Sequence, residues 1–323
     1  SATIGDSDLV PPLANADGDS GEFVAVTLEV NAGTAGDGVI IVSGASPYGD
    51  YQPMFTTEYY TVPLEGDAFV KQAIDFGMDM VLDPIIVVDM SHGQYSSYVF
   101  GEEDTWLQDN LTAMNYRVGF AWGGLNDTIL ARADGLLLGA IYGVTNGFTT
   151  NEITAVSNWF NAGNKFLWVG SDSDYSGYAY INNNASLILD AVGSHVYPEA
   201  ISISDAISNC NASYRVVANR TSTNAFVADI VDGVDQVLMH GPTSLYGSSS
   251  GAEGEDVVAL ETGTIANVYP LLYYGASATI GDSDLVPPLA NADGDSGEFV
   301  AVTLEVNAGT AGDGVIIVSG ASP

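Results

Sequence analysis

The segment DGLLLGAIYGVTNGFTTNEITAVSNWFNAGNKFLWVGS, Asp134 to Ser171, decides the fold. Its first part, Asp134 to Tyr142, is an almost continuous apolar run of the length expected for a strand covered on both faces. Thr149 and Glu152 then stand three apart at the head of a helical pattern, which is the spacing of a capping box. Ile153, Val156, Trp159 and Phe160 share one helical face, and Gly163 falls where a C-terminal cap belongs. Lys165 to Ser171 returns to an apolar strand. Strand, helix and strand in that order predict a parallel sheet with helices packed on it.

Outward from this unit the same alternation continues. Ile85 to Met90 (IIVVDM) is a second apolar strand behind Pro84, and EEDTWLQDNLTAMN carries Trp106, Leu107, Leu111 and Met114 at helical spacing. Tyr116 to Trp122 reads as a strand and Ala185 to Gly193 as a helix returning from Lys165–Ser171. Weaker strands are expected at Tyr214 to Ala218, at Gln236 to His240, and within GEDVVALET and NVYPLLYY. EFVAVTLEV and GVIIVSG give two more, and Asp67 to Met80 is helical, with Phe69, Ala73, Phe76 and Met80 roughly on one face. The Gly- and Ser-rich run GPTSLYGSSSGAEGE predicts an exposed loop.

Residues 1–47 recur without a change as residues 277–323, a period of 276. Diverged duplications accumulate substitutions, so identity implies a recent or homogenised tandem array. Two identical pieces cannot fill one place in one sheet. One copy is therefore expected to pack in a neighbouring repeat or subunit, because an unpaired apolar strand is otherwise left exposed.

Composition supports a folded protein: 46% of residues are hydrophobic and 10% aromatic. The charge is lopsided, with 41 acidic residues against six basic ones and a net charge of −35. Such a surface repels nucleic acid and anionic membrane, and suits high salt, bound divalent cations or a crowded extracellular coat. No membrane span is apparent in the sequence. Five N-x-S/T sequons, at Asn110, Asn126, Asn184, Asn211 and Asn219, point to N-linked glycans on an extracellular protein at the cell surface, the alternative being ordinary polar loops. Cys210 is the sole cysteine and reads as a small buried apolar residue, which leaves no internal disulfide or cysteine metal cluster.

The blocks IIVVDMSHGQ, ADGLLLGAIYGVTNGFTTNEITAVSNWFNAGNKFLWVGSDSDYSG, VLMHGP and VIIVSGASPYGDYQPMFTTEYYTVPLEGDAFVKQAIDFG together resemble a class I glutamine amidotransferase-like domain. The resemblance is to the degenerate type found in archaeal surface proteins. It implies an α/β, three-layer flavodoxin-like fold with a mostly parallel sheet, plus a β-rich partial repeat at the terminus. It also implies a frame: residues 1–82 as the C-terminal part of one repeat and residues 85–323 as the next domain, with 277–323 duplicating 1–47. The opposite frame closes a permuted domain over residues 1–276.

Ligands in open α/β sheets gather at the carboxyl ends of the strands. Asp89, His92, Asp172, Asp174 and His240 fall there and could hold a metal or move protons, or could simply shape tight turns. Active members of the resembled family carry a cysteine in a G-x-C-x-G elbow, whereas the matching strand end here reads Gly170-Ser171-Asp172-Ser173-Asp174. Cys210 lies too late to replace it, so a non-enzymatic role is expected. NADGDSGE spaces Asp17, Asp19 and Glu22 somewhat as calcium loops do, but its glycine comes one place late and the distal bidentate glutamate is missing. The expectation is a self-associating extracellular structural protein forming a surface layer, sheath or filament. The alternative is a metal-dependent enzyme or ligand-binding domain using the strand-end residues.

Overall fold

The computed structural model describes residues 19–21, 24–32, 34, 38–44, 54–78, 81, 83–94, 106–143, 147–281, 295–297, 299–308 and 314–320. In chain order the strands begin with β1 (Asp19–Gly21), β2 (Val24–Ala32), β3 (Gly38–Ser43), β4 (Glu58–Tyr59) and β5 (Val62–Pro63). Helix α1 (Gly66–Met78) leads to β6 (Ile85–Asp89), α2 (Trp106–Ala113), β7 (Arg117–Ala121), α3 (Asp127–Leu130) and β8 (Gly135–Leu138). Next come α4 (Thr150–Phe160), β9 (Phe166–Ser171), α5 (Tyr180–Val192), β10 (Val196–Pro198), β11 (Ser202–Asp205) and β12 (Arg215–Thr221). The remainder is α6 (Ala228–Val231), β13 (Val237–His240), β14 (Leu245–Ser248), β15 (Val257–Val258), β16 (Val268–Tyr274), β17 (Ala278–Gly281), β18 (Asp295–Gly297), β19 (Ala301–Ala308) and β20 (Gly314–Gly320).

These elements form a mixed α/β body around one large central sheet. Its parallel part runs β3-β9-β8-β6-β7, and an antiparallel part continues from β3 through β2 and β16 to β12 and β13. The quoted segment behaves as its pattern dictates. β8 and β9 are buried along their whole lengths and pair in parallel from Gly135↔Phe166 to Leu138↔Val169. Between them, α4 starts on a complete Thr149/Glu152 capping box and buries Ala155, Val156, Trp159 and Phe160. Gly163 takes a left-handed φ of 94° beyond its end.

Helix α1 lies over β9, with Phe69 edge-on to Trp168 at 6.4 Å between ring centroids. Gly77 of α1 is required by contact: a β-carbon there would strike the Phe166 ring at 2.3 Å. α5 packs against α4 and β9. A small sheet, β10-β14-β15, covers β19 and β20.

One expectation is overturned. Leu245–Ser248, inside the supposed exposed loop, is the buried strand β14, paired with β10 and holding Tyr246 stacked on Tyr197 at 5.7 Å. Its four residues sit among glycines and serines that signal turns, and tertiary burial wins over that local signal.

The duplicated pieces fold into the same hairpin twice. β2 and β3 pair Thr27↔Val42 and Leu28↔Ile41; β19 and β20 pair Thr303↔Val318 and Leu304↔Ile317. Both hairpins lie against β16 in one register. Tyr269 pairs with Leu28 and with Leu304, and Pro270 with Thr27 and with Thr303. On the far side β9 meets β3 and also Gly320 of β20. A β-carbon on Gly44 would fall on the backbone of Gly320. One edge of β16 can hydrogen-bond to only one strand at a time, so the copies are alternative occupants of a single slot between β16 and β9.

Candidate functional site

At the end of β6, Asp89 and His92 meet as the sequence suggested, and a residue outside the expected set joins them. Asp89 Oδ2 lies 2.6 Å from His92 Nδ1, and His92 Nε2 lies 3.3 Å from Glu152 Oε1. The remaining atoms are spoken for. Asp89 Oδ1 accepts from the Ser91 amide at 3.1 Å and its Oδ2 from Gln94 Nε2 at 3.0 Å. Glu152 Oε1 accepts from the Leu125 amide at 3.0 Å, and Oε2 from the Thr149 amide at 2.9 Å and hydroxyl at 2.8 Å. The His92 ring rests on Phe148, 4.4 Å between centroids.

The turn itself needs Gly93, whose φ is 86° and whose absent side chain would press on the Gly143 amide at 2.5 Å. Burial pulls the His92 ring toward neutrality, but the hydrogen bond and charge of Asp89, then those of Glu152, outweigh it and raise its pKa. Burial likewise pushes Glu152 up, and the Thr149 and Leu125 bonds with His92 bring it below the usual carboxylate range. Asp89, His92 and Glu152 thus clamp the ends of β6 and α4 together. Glu152 was legible as a capping-box residue; that its carboxylate also reaches His92 depends on α4 lying beside β6, which spacing does not encode.

Asp172 and Asp174 follow β9 and are buried. Asp172 Oδ1 accepts from the Ser173 amide, and Asp174 Oδ1 from the Ser202 hydroxyl at 2.8 Å. The Ser173 amide donates to Gly241 O at 3.1 Å, which ties this loop to the turn after His240. His240 stands edge-on to Tyr214 at 5.5 Å, beside Arg215, whose guanidinium lies over Tyr59, Tyr60 and Tyr214. Cys210 is buried and its thiol is pushed up to about 11 by burial, with Arg215 pulling the other way.

The sequons are not equivalent. Asn126, Asn211 and Asn219 are exposed, whereas Asn184 sits within α5 with Nδ2 donating to Tyr180 O at 2.7 Å and Oδ1 accepting from the Phe148 amide at 3.1 Å. Asn110 is half-buried on α2. Of the calcium candidates, Asp17 and Glu22 lie outside the described residues, and Asp19 opens β1.

A group missed in the sequence lies in the slot. Glu29 of β2 and its copy Glu305 of β19 are fully buried beside His195, in the turn between α5 and β10. The His195 amide donates to Glu305 Oε2 at 2.5 Å; its Nδ1 contacts Glu305 Oε1 and lies 4.0 Å from Glu29 Oε1. Three ligand atoms from Glu29, His195 and Glu305 fall within 4.8 Å of one another, a spacing suited to a metal ion. The two carboxylates, however, are the same residue of two copies that share one slot. Either occupant brings one carboxylate to His195, and a three-ligand metal site does not follow. The available signal was a glutamate in a strand that is otherwise nearly all apolar.

No protein-family model and no curated protein matches the chain. Among solved structures, the mmIFT52 N-terminal domain is similar with a TM-score of 0.46 and 11% identity, over 73% of this chain and 86% of that one. A likeness of that size carries no argument about function. What fold and site define is a mixed α/β protein with one slot and two identical hairpins to fill it. Among the described residues, no helix is long and apolar enough to cross a membrane.

Proposed function

We propose that this is an extracellular structural protein whose repeats or subunits assemble into a surface layer, sheath or filament by exchanging the hairpin that the chain carries twice. The single observation that carries the reading is that β2-β3 and β19-β20 take one register on β16. One hairpin in each chain is therefore surplus. Leu28, Ile40 and Ile41 are fully buried in the slot, and their equivalents in the surplus copy forgo about 1.5–3 kcal/mol each while unhoused.

The two copies are identical, so passing one to a neighbour is close to neutral at the slot itself. Linking therefore wins when neighbours exceed the effective concentration of the tethered copy, on the order of millimolar. A crowded surface assembly meets that condition. The flavodoxin-like, degenerate amidotransferase-like class belongs to the same proposal. Counted from Ile85, the strands β7-β6-β8-β9-β3 stand in the order 2-1-3-4-5, with β3 fifth through its equivalence to β20. The bonding of Asp89, His92 and Glu152 to one another supports a structural use of that edge.

The test is sedimentation and electron microscopy of the full chain at millimolar concentration beside a chain ending at Gly275. Linear multimers are expected from the full chain alone. Two monomeric samples would overturn the proposal.

A further inference from the structure

We infer that Glu29, and equally Glu305, is the residue by which the slot fixes the register of the inserted hairpin, with His195 as its reader. The inference rests on the reading that the two copies are interchangeable occupants. Along β16 the apolar face of the hairpin does little to set its position. Sliding by two residues keeps every side chain on its own face and exchanges Val26 with Leu28 or Val24, all apolar and of similar size. Glu29 breaks that degeneracy.

In the observed register both glutamates stand opposite Val268; Glu305 accepts from the His195 amide at 2.5 Å, and Glu29 Oε1 lies 4.0 Å from His195 Nδ1. A two-residue slide moves the carboxyl about 7 Å along the strand, which breaks the His195 amide bond of Glu305 and takes Glu29 out of contact with the ring, leaving the group buried away from His195. The wrong register is thus penalised in either copy. Buried polar groups fix register in the same way in other paired elements.

Disulfide trapping in the full chain, with Cys210→Ala as background, tests this. Thr27→Cys and Thr303→Cys combined with Pro270→Cys report the observed register. The same two cysteines combined with Val268→Cys report the slid one, because diagonal neighbours are too far apart for a disulfide. With glutamate at 29 and 305, bonding at 270 should exceed bonding at 268 by at least about tenfold. Glu29→Gln with Glu305→Gln keeps an acceptor for the His195 amide and should keep that ratio. Glu29→Leu with Glu305→Leu should let the two positions bond to similar extents, and methionine at both sites repeats the test with a more adaptable side chain.

Leucine and methionine chains that still bond only at 270 would overturn the inference. So would chains that bond at neither, since the glutamate would then govern occupancy rather than register. Multimer formation is read separately by sedimentation, so the exchange reading and the register reading can fail independently.

Discussion

His92 is held from both sides of its ring. Both ring nitrogens face carboxylates, Asp89 at 2.6 Å and Glu152 at 3.3 Å, so the imidazolium form is the one the site favours. The raised pKa of His92 means that its contribution is complete below the ordinary imidazole value of 6.5 and is lost as pH climbs through the raised value. The lowered pKa of Glu152 means that its contribution is present above 4.5 and is lost as pH falls through the lowered value. The clamp is therefore strongest in mild acid, between those two ordinary values. Replacing His92 with leucine leaves two buried carboxylates facing each other and should cost about 3 kcal/mol. Calorimetry at pH 5.5 and pH 8.5 should show the larger loss at the lower pH; an equal loss at both would mean that the ring's charge is not what the clamp uses. Asp89 and His92 were legible because strand ends are where such groups collect. The contacts of Glu152 with His92 and of His195 with the hairpin were not, because each arises through packing between elements far apart in the chain.

At the scale of elements, α4 was readable from end to end, since its cap, its apolar face and its closing glycine are all local. β14 was hidden because its identity as a strand lies in pairing with β10 and not in its own four residues. The inserted hairpin falls between these cases: its strands were plain, but the cost of carrying a carboxyl into the sheet was not. Glu29 meets Ser194 and His195 from the turn after α5, and its charge reaches Tyr197 on β10, around which Asp190 and Glu253 also gather. Its cross-strand neighbour on β16, Val268, is uncharged. Burial raises the Glu29 pKa well above the carboxylate range, with the Ser194 hydrogen bond opposing it. The folded state therefore holds a proton that the unfolded chain releases, and stability falls as pH rises from 4.5 toward the raised value. His195 acts in the opposite sense: burial lowers it, so its effect is a loss as pH drops below 6.5. Glutamine at both 29 and 305 should flatten the loss on the alkaline side and leave that on the acid side, as followed by urea midpoints across pH 4 to 9. An unchanged alkaline slope would place the titrating group elsewhere.

For the whole molecule the exchange proposed above raises the question of which copy stays at home, and covalent reach bears on it. The first hairpin is joined through residues 45–53 to Met54, which begins a docked segment. There the Glu65 amide donates to Gln236 O at 2.8 Å, the Gln236 amide to Glu65 Oε2 at 2.8 Å, and Gln72 Nε2 to Asp232 O at 3.0 Å. That link spans at most about 35 Å, less than the roughly 48 Å diameter expected of a compact body this long. Wherever α1 docks, the first hairpin must follow. The second hairpin is joined to β17 through residues 282–300, a contour of about 70 Å that reaches a neighbouring slot only when β18 gives up its pairing with β17 and β1. Pairing agrees: β3 meets β9 at Ile41↔Trp168 and Ser43↔Gly170, while β20 meets it at Gly320↔Ser171. The duplication could be seen in the sequence, but the frame could not, because it depends on where α1 docks. Cysteines at Thr27 and Pro270, with Cys210 replaced by alanine, should therefore close a disulfide within one chain at micromolar concentration. Cysteines at Thr303 and Pro270 should bond slowly there and join separate chains at millimolar concentration, forming a ladder on a non-reducing gel. Rapid closure of the Thr303 pair within single chains would make the second copy the resident and the first the one that travels.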